Sequence, residues 1–412
     1  MQTSSSVPLR RNRPFMLLLA ARTISMLGMA FTPVALAFGV LRLPGADAGT
    51  LSLVLAAQTA PLVIFMLLGG VIADRYPRAV VLRWSEFVTA AAIAAIGVMM
   101  LSGTAPVWEI SVAAAVSGVA SAGVYPALTG IIPDLVPAPQ LQQANAWLGG
   151  GASVARLAGV VAGGAVVLWL GGGWAMITAG ALYFVAGLLS LGLPRISATL
   201  ASKSDGPLRQ LADGWGEFSS RQWLWVVVAQ FSVLVMMLQA AHGVFGPVVA
   251  ENELGGPAMW TTFLLGEALG AVVGVSLALV WRPKHPIRVA TIMTFTAGLP
   301  AILLGVAAPL PLVVVAAFAM GACFELFGVW WLTAMQNEVP PESLARVASY
   351  DALGSLMLGP IGLLLAGPAT LAFGVHTALI GAGIINLVVT ALALLSPEVR
   401  NLEAHRVRVE AA

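Results

Sequence analysis

Of the 412 residues, 59% are hydrophobic and 9% are charged, against about 25% charged in a soluble domain. So few charges cannot cover a water-soluble fold of this length, so most of the chain must have lipid as its solvent. A net charge of +2 is too small to suggest a nucleic-acid partner, and one cysteine (Cys323) with four scattered histidines offers neither a disulfide framework nor metal-ligand spacing, so no cofactor is expected.

Arg10, Arg11 and Arg13 open the chain, ahead of an apolar run from Phe15 to about Val40 that only Arg22 and a few small polar residues interrupt. That run is far longer than the roughly 7–15 apolar residues of a signal peptide, so it reads as an uncleaved first span. A spanning helix needs roughly 20 mostly apolar residues. Twelve segments qualify: 14–40, 49–72, 79–101, 107–132, 142–170, 174–193, 222–249, 258–281, 287–307, 310–336, 349–371 and 375–396. The joints "GGG" at 171–173 and "AAP" at 307–309 are too short for a folded insertion, so the helices beside them must turn back as tight antiparallel hairpins.

The longest polar segment, 195–221, divides the spans six and six. The expected organisation is a six-helix bundle over 1–194, a linker over 195–221, a second bundle over 222–396 and a tail over 397–412. From Pro207 the linker places Leu208, Leu211, Trp215 and Phe218 at helical spacing, which suggests a short amphipathic helix at the membrane surface. With both termini inside, seventeen of the twenty Lys and Arg residues fall on inner loops and tails, two (Arg22 and Arg156) lie within spans, and only Arg42 falls outside. Positive charge marks the cytoplasmic side, so an even number of spans with both ends cytoplasmic is expected.

The halves repeat each other. "DLVPAPQLQQANAW" (134–147) and "NEVPPESLARVASY" (337–350) align at a constant offset of 203, which pairs Val136-Pro137 with Val339-Pro340, Leu141 with Leu344 and Trp147 with Tyr350. The first span of each half carries Phe-x-Pro-Val, at Phe31 to Val34 and Phe245 to Val248. Repeated halves, with substrate held between them near the midplane, are how alternating-access transporters are built. Proline at matching places is expected to break the helix where it bends.

The junction "GGVIADRYPRAVVL" (69–82) resembles the loop signature between the second and third helices of the major facilitator superfamily. Gly70, Asp74, Arg75 and Arg78 occupy the signature's places, with Pro77 where a glycine is usual. "RTISMLG" (22–28), "VYPALTGIIPDLVPAPQLQQANA" (124–146) and "VWWLTAMQNEVPPESLARVASYDALGS" (329–355) resemble the enterobactin-exporter-like and macrolide-efflux-like branch. The resemblance implies an all-α membrane fold of twelve helices in two pseudo-symmetric six-helix bundles. It also implies that helices one, four, seven and ten line a central cavity. Proton-coupled exporters of the superfamily often carry Gly-Pro-x-x-Gly-Gly in the fifth helix. Here Gly159, Gly163 and Gly164 are kept and Val160 replaces the proline, so close helix packing is expected but antiport is not read from this motif. Met29 stands where relatives commonly have an acid.

An ionisable residue inside a span is a functional candidate by default. Arg22, His242 and Glu325 fall on helices that the resemblance places around the cavity; Arg156 and Glu267 fall on flanking helices, and Asp351 near the inner end of the eleventh. Each acid can alternatively be a structural partner that fixes packing. Glu86 reads as a local ion pair with Arg83, and Glu109 as a helix cap. Asp74 ends the second helix and, under the resemblance, would face the start of the eleventh as an inner latch, with Arg78 reaching Asp134 as a second tie. Trp108, Trp174, Trp223, Trp225 and Trp281 sit near span ends, where an interfacial belt is the ordinary role. Phe324, Phe327, Trp330 and Trp331 offer an apolar binding wall in the tenth span, with core or lipid packing as the alternative.

The expected protein is a secondary transporter in a bacterial plasma membrane. It would be a monomer exporting a small hydrophobic or amphipathic compound (drug, antibiotic or siderophore-like metabolite) in exchange for protons, with the bilayer as its other partner. An uptake symporter or facilitator of the same fold is the first alternative, and a non-transporting sensor or assembly partner the second. No nucleophile, base and orienting group occur together, so an enzyme is not expected.

Overall fold

A computed structural model describes residues 8–194 and 215–403, and among these every regular element is a helix. Eleven described helices are long and apolar enough to cross a membrane. In the first half, spans one to three are Arg13–Leu41, Ala48–Arg75 and Arg78–Ser102, and spans five and six are Leu141–Leu170 and Gly172–Ser190. The fourth span differs from the expected single helix. It is two helices, Val107–Ala122 and Val124–Leu135, that meet at Gly123. Pro126 has no N–H to give the Ala122 carbonyl four residues back, so the ladder fails there.

The same physics breaks three spans of the second half. Span seven runs Gln222–Ala240, then a π-turn over Ala241–Phe245, then Gly246–Glu253, with Pro247 just past the wide turn. Span nine is Pro286–Met293, a 3-10 stretch Thr294–Gly298 and Leu299–Gly305, in whose first turn Pro300 lacks a donor for Thr296 O. Span eleven is Pro341–Leu356 and Gly359–Phe373, parted before Pro360. Spans eight, ten and twelve are Pro257–Val280, Leu310–Glu338 and Val375–Ala393. The matched prolines do not act alike: Pro33 sits inside an unbroken helix, whereas Pro247 follows a π-turn.

The repeat extends to backbone conformation. Gly171 has φ 87° and ψ 169°, and its N–H bonds Val167 O; Gly374, 203 residues on, has φ 79° and ψ 152°, and bonds Thr370 O. Only glycine is at ease there, which is why each half can turn its fifth span into its sixth on a single residue. Val136 and Val339 end their helices in extended conformation, bonding Ile132 O and Met335 O. Trp147 packs on Phe15 (6.2 Å between centroids), and Tyr350 on Phe218 (5.9 Å).

Contacts divide the chain into two compact units: Met1–Ser202 with Ala250–Thr261, and Lys203–Val249 with Thr262–Ala412. In the first unit span one packs on five and six, three on six, and two on four. The retained glycines serve this: Gly159 lies against Leu27 and Ala30, and Gly163 against Phe31. Ala250–Thr261 brings Glu251 to Arg42, with Nε–Oε1 at 2.7 Å and Nη2–Oε2 at 3.1 Å. In the second unit span seven packs on eleven and twelve, and nine on ten and twelve. A buried polar knot ties them, with Gln230 Nε2 donating to Thr294 Oγ1 (3.1 Å) and Thr390 Oγ1 (3.2 Å).

Of the linker, Leu208 and Leu211 lie outside the described residues. Residues 215–219 are helical, Phe218 is buried in the second unit's core, and Trp215 stacks on it at 5.7 Å. Trp108, Trp174, Trp225 and Trp281 are exposed. Trp223 is not a belt residue: it is buried edge-on against Trp331 at 5.3 Å.

Candidate functional site

Span ten places Phe324, Phe327, Gly328 and Trp331 three and four residues apart, hence on one helix face. Span seven meets that face with Val227, Val228 and Phe231. The rings align: Phe231 and Phe327 are stacked at 5.0 Å and 10°, and Phe327 and Trp331 at 5.9 Å and 10°. Phe324 tilts onto Phe231 at 5.7 Å. Together with Asp351, Ala352, Ser355 and Leu356 of span eleven they enclose a cavity of about 360 Å³ inside the second unit. Its walls are aromatic, and its polar groups are Glu325, Asp351 and Ser355. Asp351 is held from two sides: Trp331 Nε1 donates to Oδ2 at 3.1 Å and Ser355 Oγ to Oδ1 at 3.4 Å.

Trp330 is absent from this wall, contrary to expectation. One residue from Trp331 it points about 100° away; it is buried edge-on against Trp281 at 5.0 Å and donates Nε1 to Trp281 O at 3.4 Å. Phe231 and Ser355 had no signal in the sequence beyond helical spacing. A larger concavity of about 780 Å³ lies on spans two to four of the first unit, among Phe65, Trp84, Val88 and Val116. It is apolar apart from Tyr76 and Ser85.

The candidate charges fall into separate groups. In the second unit His242 Nε2 lies 3.4 Å from Glu267 Oε2, and its Nδ1 lies 3.2 Å from Leu238 O. In the first unit Glu86 is 6% exposed and accepts a hydrogen bond from Ser25, in the field of half-buried Arg22 and of Tyr183. Glu86 therefore pairs across to span one and not with Arg83. The Arg83 guanidinium instead donates to Ser190 O (3.3 Å) and Leu191 O (3.4 Å) at the end of span six. Such C-terminal carbonyls have no helical donor and carry negative dipole charge, so a buried cation satisfies both. Arg156 is exposed on span five. Glu109 is in the first turn of its helix, as expected, and the N-cap position itself is Pro106.

At the junction, Arg78 Nη1 donates to Asp134 Oδ2 at 3.0 Å, within the first unit, and Arg75 is exposed. Gly70 and Asp74 fall within span two, and the Asp74 side chain lies outside the described residues. The second unit has Asn337 at the place of Asp134, offset by 203, so the repeat does not preserve this pair.

Two helical repeats with ionisable groups held inside apolar spans are the architecture of a multi-pass membrane transporter. The chain belongs to the Major Facilitator Superfamily, whose family description matches residues 15–355. It is 25% identical over 408 residues to the multidrug efflux pump Tap of Mycolicibacterium fortuitum, covering 95% of this chain and 97% of that one. It is 21% identical over 392 residues to macrolide efflux protein A of Streptococcus pyogenes, covering 93% and 96%. Among solved structures it matches the nucleoside transporter NupG with a TM-score of 0.71 at 13% identity, covering 92% and 98%. The chain is thus a transporter with efflux-pump homologues and no enzyme.

Proposed function

We propose that this chain exports a hydrophobic or amphipathic compound across a bacterial plasma membrane in exchange for protons, by alternating access, as a monomer with both termini in the cytoplasm. The aromatic cavity in the second unit carries the reading. Its stacked rings present wide faces to an apolar solute, and its few polar groups give one end of that solute something to orient against. A sugar or organic-anion carrier needs a denser set of hydrogen-bonding groups than Glu325, Asp351 and Ser355. The efflux homologues suggest macrolides as the first compounds to try. Arg22, Arg156, Glu267, Glu325 and His242 are candidates for the proton or substrate site, and Gly70, Asp74, Arg75, Arg78 and Asp134 for an inner gate.

In an efflux-deficient host, expression should raise the inhibitory concentration of at least one macrolide or other lipophilic antibiotic. Phe327→Ala should reduce that protection. Inverted vesicles holding a pH gradient should lose part of it when the compound is added. Unchanged susceptibility across a broad panel, or export indifferent to uncoupler, would defeat this reading.

A further inference from the structure

After span twelve the chain turns back onto the second unit. Pro397–Asn401 is a short helix that packs on spans seven and nine, with Val399 buried in the same core as Trp223 and Trp331. This brings Glu398 to the start of span seven, where its Oε2 accepts from Trp223 N at 3.0 Å. The first backbone N–H groups of a helix have no partner within it. Arg221, at the N-cap, offers them no side-chain acceptor. A carboxylate 175 residues away in sequence does so instead, and an anion suits the positive end of the helix dipole. Lys284 holds the tail further along, with Nζ 3.3 Å from Glu403 Oε1.

The Arg221 guanidinium makes the opposite tie. Nη2 donates to the carbonyl of Glu338, the last residue of span ten, at 2.9 Å, and Nη1 donates to Glu217 of the linker. A C-terminal carbonyl has no helical donor and carries negative dipole charge, so a cation suits it. Spans seven and ten are thus anchored to each other at one end, and beside the anchors the packing is aromatic. Trp223 is 3% exposed and meets Trp331 edge-on, with centroids 5.3 Å apart at 71°. Trp331 stacks on Phe327, and its Nε1 donates to Asp351 Oδ2 at 3.1 Å. An indole has a single N–H, so the bond to Asp351 lasts only while the ring keeps this orientation. The row is continuous from tail carboxylate to cavity acid: Glu398, Trp223, Trp331, Asp351.

We infer that Glu398 is a positioning residue for the substrate cavity, acting through Trp223 and Trp331 on Asp351. That the cavity holds the exported compound rests on the export reading above; the link from tail to Asp351 does not. Without its acceptor, the Trp223 N–H turns to water, the first turn of span seven frays, and the Trp223 edge leaves Trp331. The Trp331 indole is then free to turn, and Asp351 keeps only Ser355 as a donor, at 3.4 Å. The cavity loses the fixed polar end against which a solute orients. At the offset of 203 the first half carries Arg195 in place of Glu398. That charge is repelled by a helix N-terminus, so the tie belongs to the second half.

Fluorine spectra and a double-mutant cycle test the link. The chain has twelve tryptophans. In the full-length protein labelled with 5-fluorotryptophan, Trp331→Phe and Trp223→Phe assign the two 19F signals. In Glu398→Ala both should move, that of Trp331 in the direction in which Asp351→Asn moves it, while exposed Trp169 stays in place. Glu398→Gln keeps an acceptor oxygen and should restore both positions. A Trp331 signal unmoved by Glu398→Ala would overturn the link. With radiolabelled erythromycin as probe, Glu398→Ala should weaken equilibrium binding about 3–10-fold, as the loss of one hydrogen bond does, and Glu398→Gln should recover it. Trp331→Phe, which keeps a ring and removes the N–H, should weaken binding at least as much. The double variant should then bind no worse than Trp331→Phe alone. Losses that multiply would mean that Glu398 acts apart from Trp331, and the positioning role would fall. If the wild type binds no erythromycin while the Trp331 signal still moves, the substrate reading of the cavity fails and the link from Glu398 to Asp351 stands on the spectra.

Discussion

At the scale of single residues, the most informative acid outside the spans is Asp47. It opens span two as its N-cap: its carbonyl accepts from Leu51 N at 3.1 Å, and its Oδ1 accepts from Thr50 N at 2.8 Å and Thr50 Oγ1 at 2.9 Å. The Thr50 backbone N–H and then its hydroxyl favour the ionised form and hold the Asp47 carboxyl below its ordinary range. A folded-state value below the unfolded one contributes stability that is present above the ordinary value of 3.8 and lost as pH falls through the folded one. Asp47→Ala should therefore lower the apparent melting temperature at pH 7, by a loss of about 1 kcal/mol, and the gap to wild type should close as pH falls below the carboxylate range. A gap that stays constant into acid would mean that the carboxylate's charge has no part in the cap. Residue pairings were only partly legible in the sequence. Arg83 and Glu86 look like neighbours at helical spacing, yet each finds a buried partner on another span. Sequence distance measures what is adjacent on one helix, while a lipid-solvated core pairs charges across helices wherever an orphan carbonyl or hydroxyl lies at the same depth.

At the scale of elements, spans eight and ten are joined by a stripe of glycines set against backbone. Gly266, Gly270 and Gly274, four residues apart, face Val314, Phe318 and Ala322 of span ten, and Gly321 faces the backbone of Glu267. A side chain at Gly270 would meet the Phe318 carbonyl itself, which no rotamer change can relieve. Backbones this close are how membrane helices gain packing energy without a hydrophobic drive. Gly270→Val should cost about 1–3 kcal/mol of overpacking strain and lower both the yield of monodisperse protein and its melting temperature, whereas Gly328→Ala, in open space, should not. A Gly270→Val protein as stable as wild type would show that the two spans do not rely on this contact. The spans themselves were legible because twenty apolar residues in lipid have one backbone solution. Their breaks were not. Pro33, Pro61 and Pro368 pass inside continuous helices, while Pro126, Pro247, Pro300 and Pro360 each follow an interruption. Which outcome occurs depends on what neighbouring spans offer the freed carbonyls, and no single segment contains that information. The aromatic site shows the same limit: the wall of span ten was visible in its spacing, but Trp330 could be told from Trp331 only once span eight had claimed one face and spans seven and eleven the other.

At the scale of the molecule, the repeat and the charges point in different ways. The halves share backbone conformations at an offset of 203, down to Gly171 and Gly374. Their charges are not shared. Only the first half has the Arg78–Asp134 pair, and only the second has a histidine and an acid meeting at a π-turn. A fold built twice thus assigns its chemistry once to each side, so symmetry fixes the scaffold and departures from it mark candidate function. Orientation belongs to this scale because no single loop determines it. With seventeen of twenty basic residues on one set of loops and tails, and each such residue near a membrane end biasing topology, both termini should be cytoplasmic. In a Cys323→Ser background, Ala46→Cys lies in the loop that would be external, and Lys284→Cys in one that would be internal. In intact cells a membrane-impermeant maleimide should label position 46 and spare position 284, and in inverted vesicles the preference should reverse. Labelling of 284 in intact cells would invert the topology. The proposed export direction would then have to be reargued, since every loop would lie on the opposite face of the membrane.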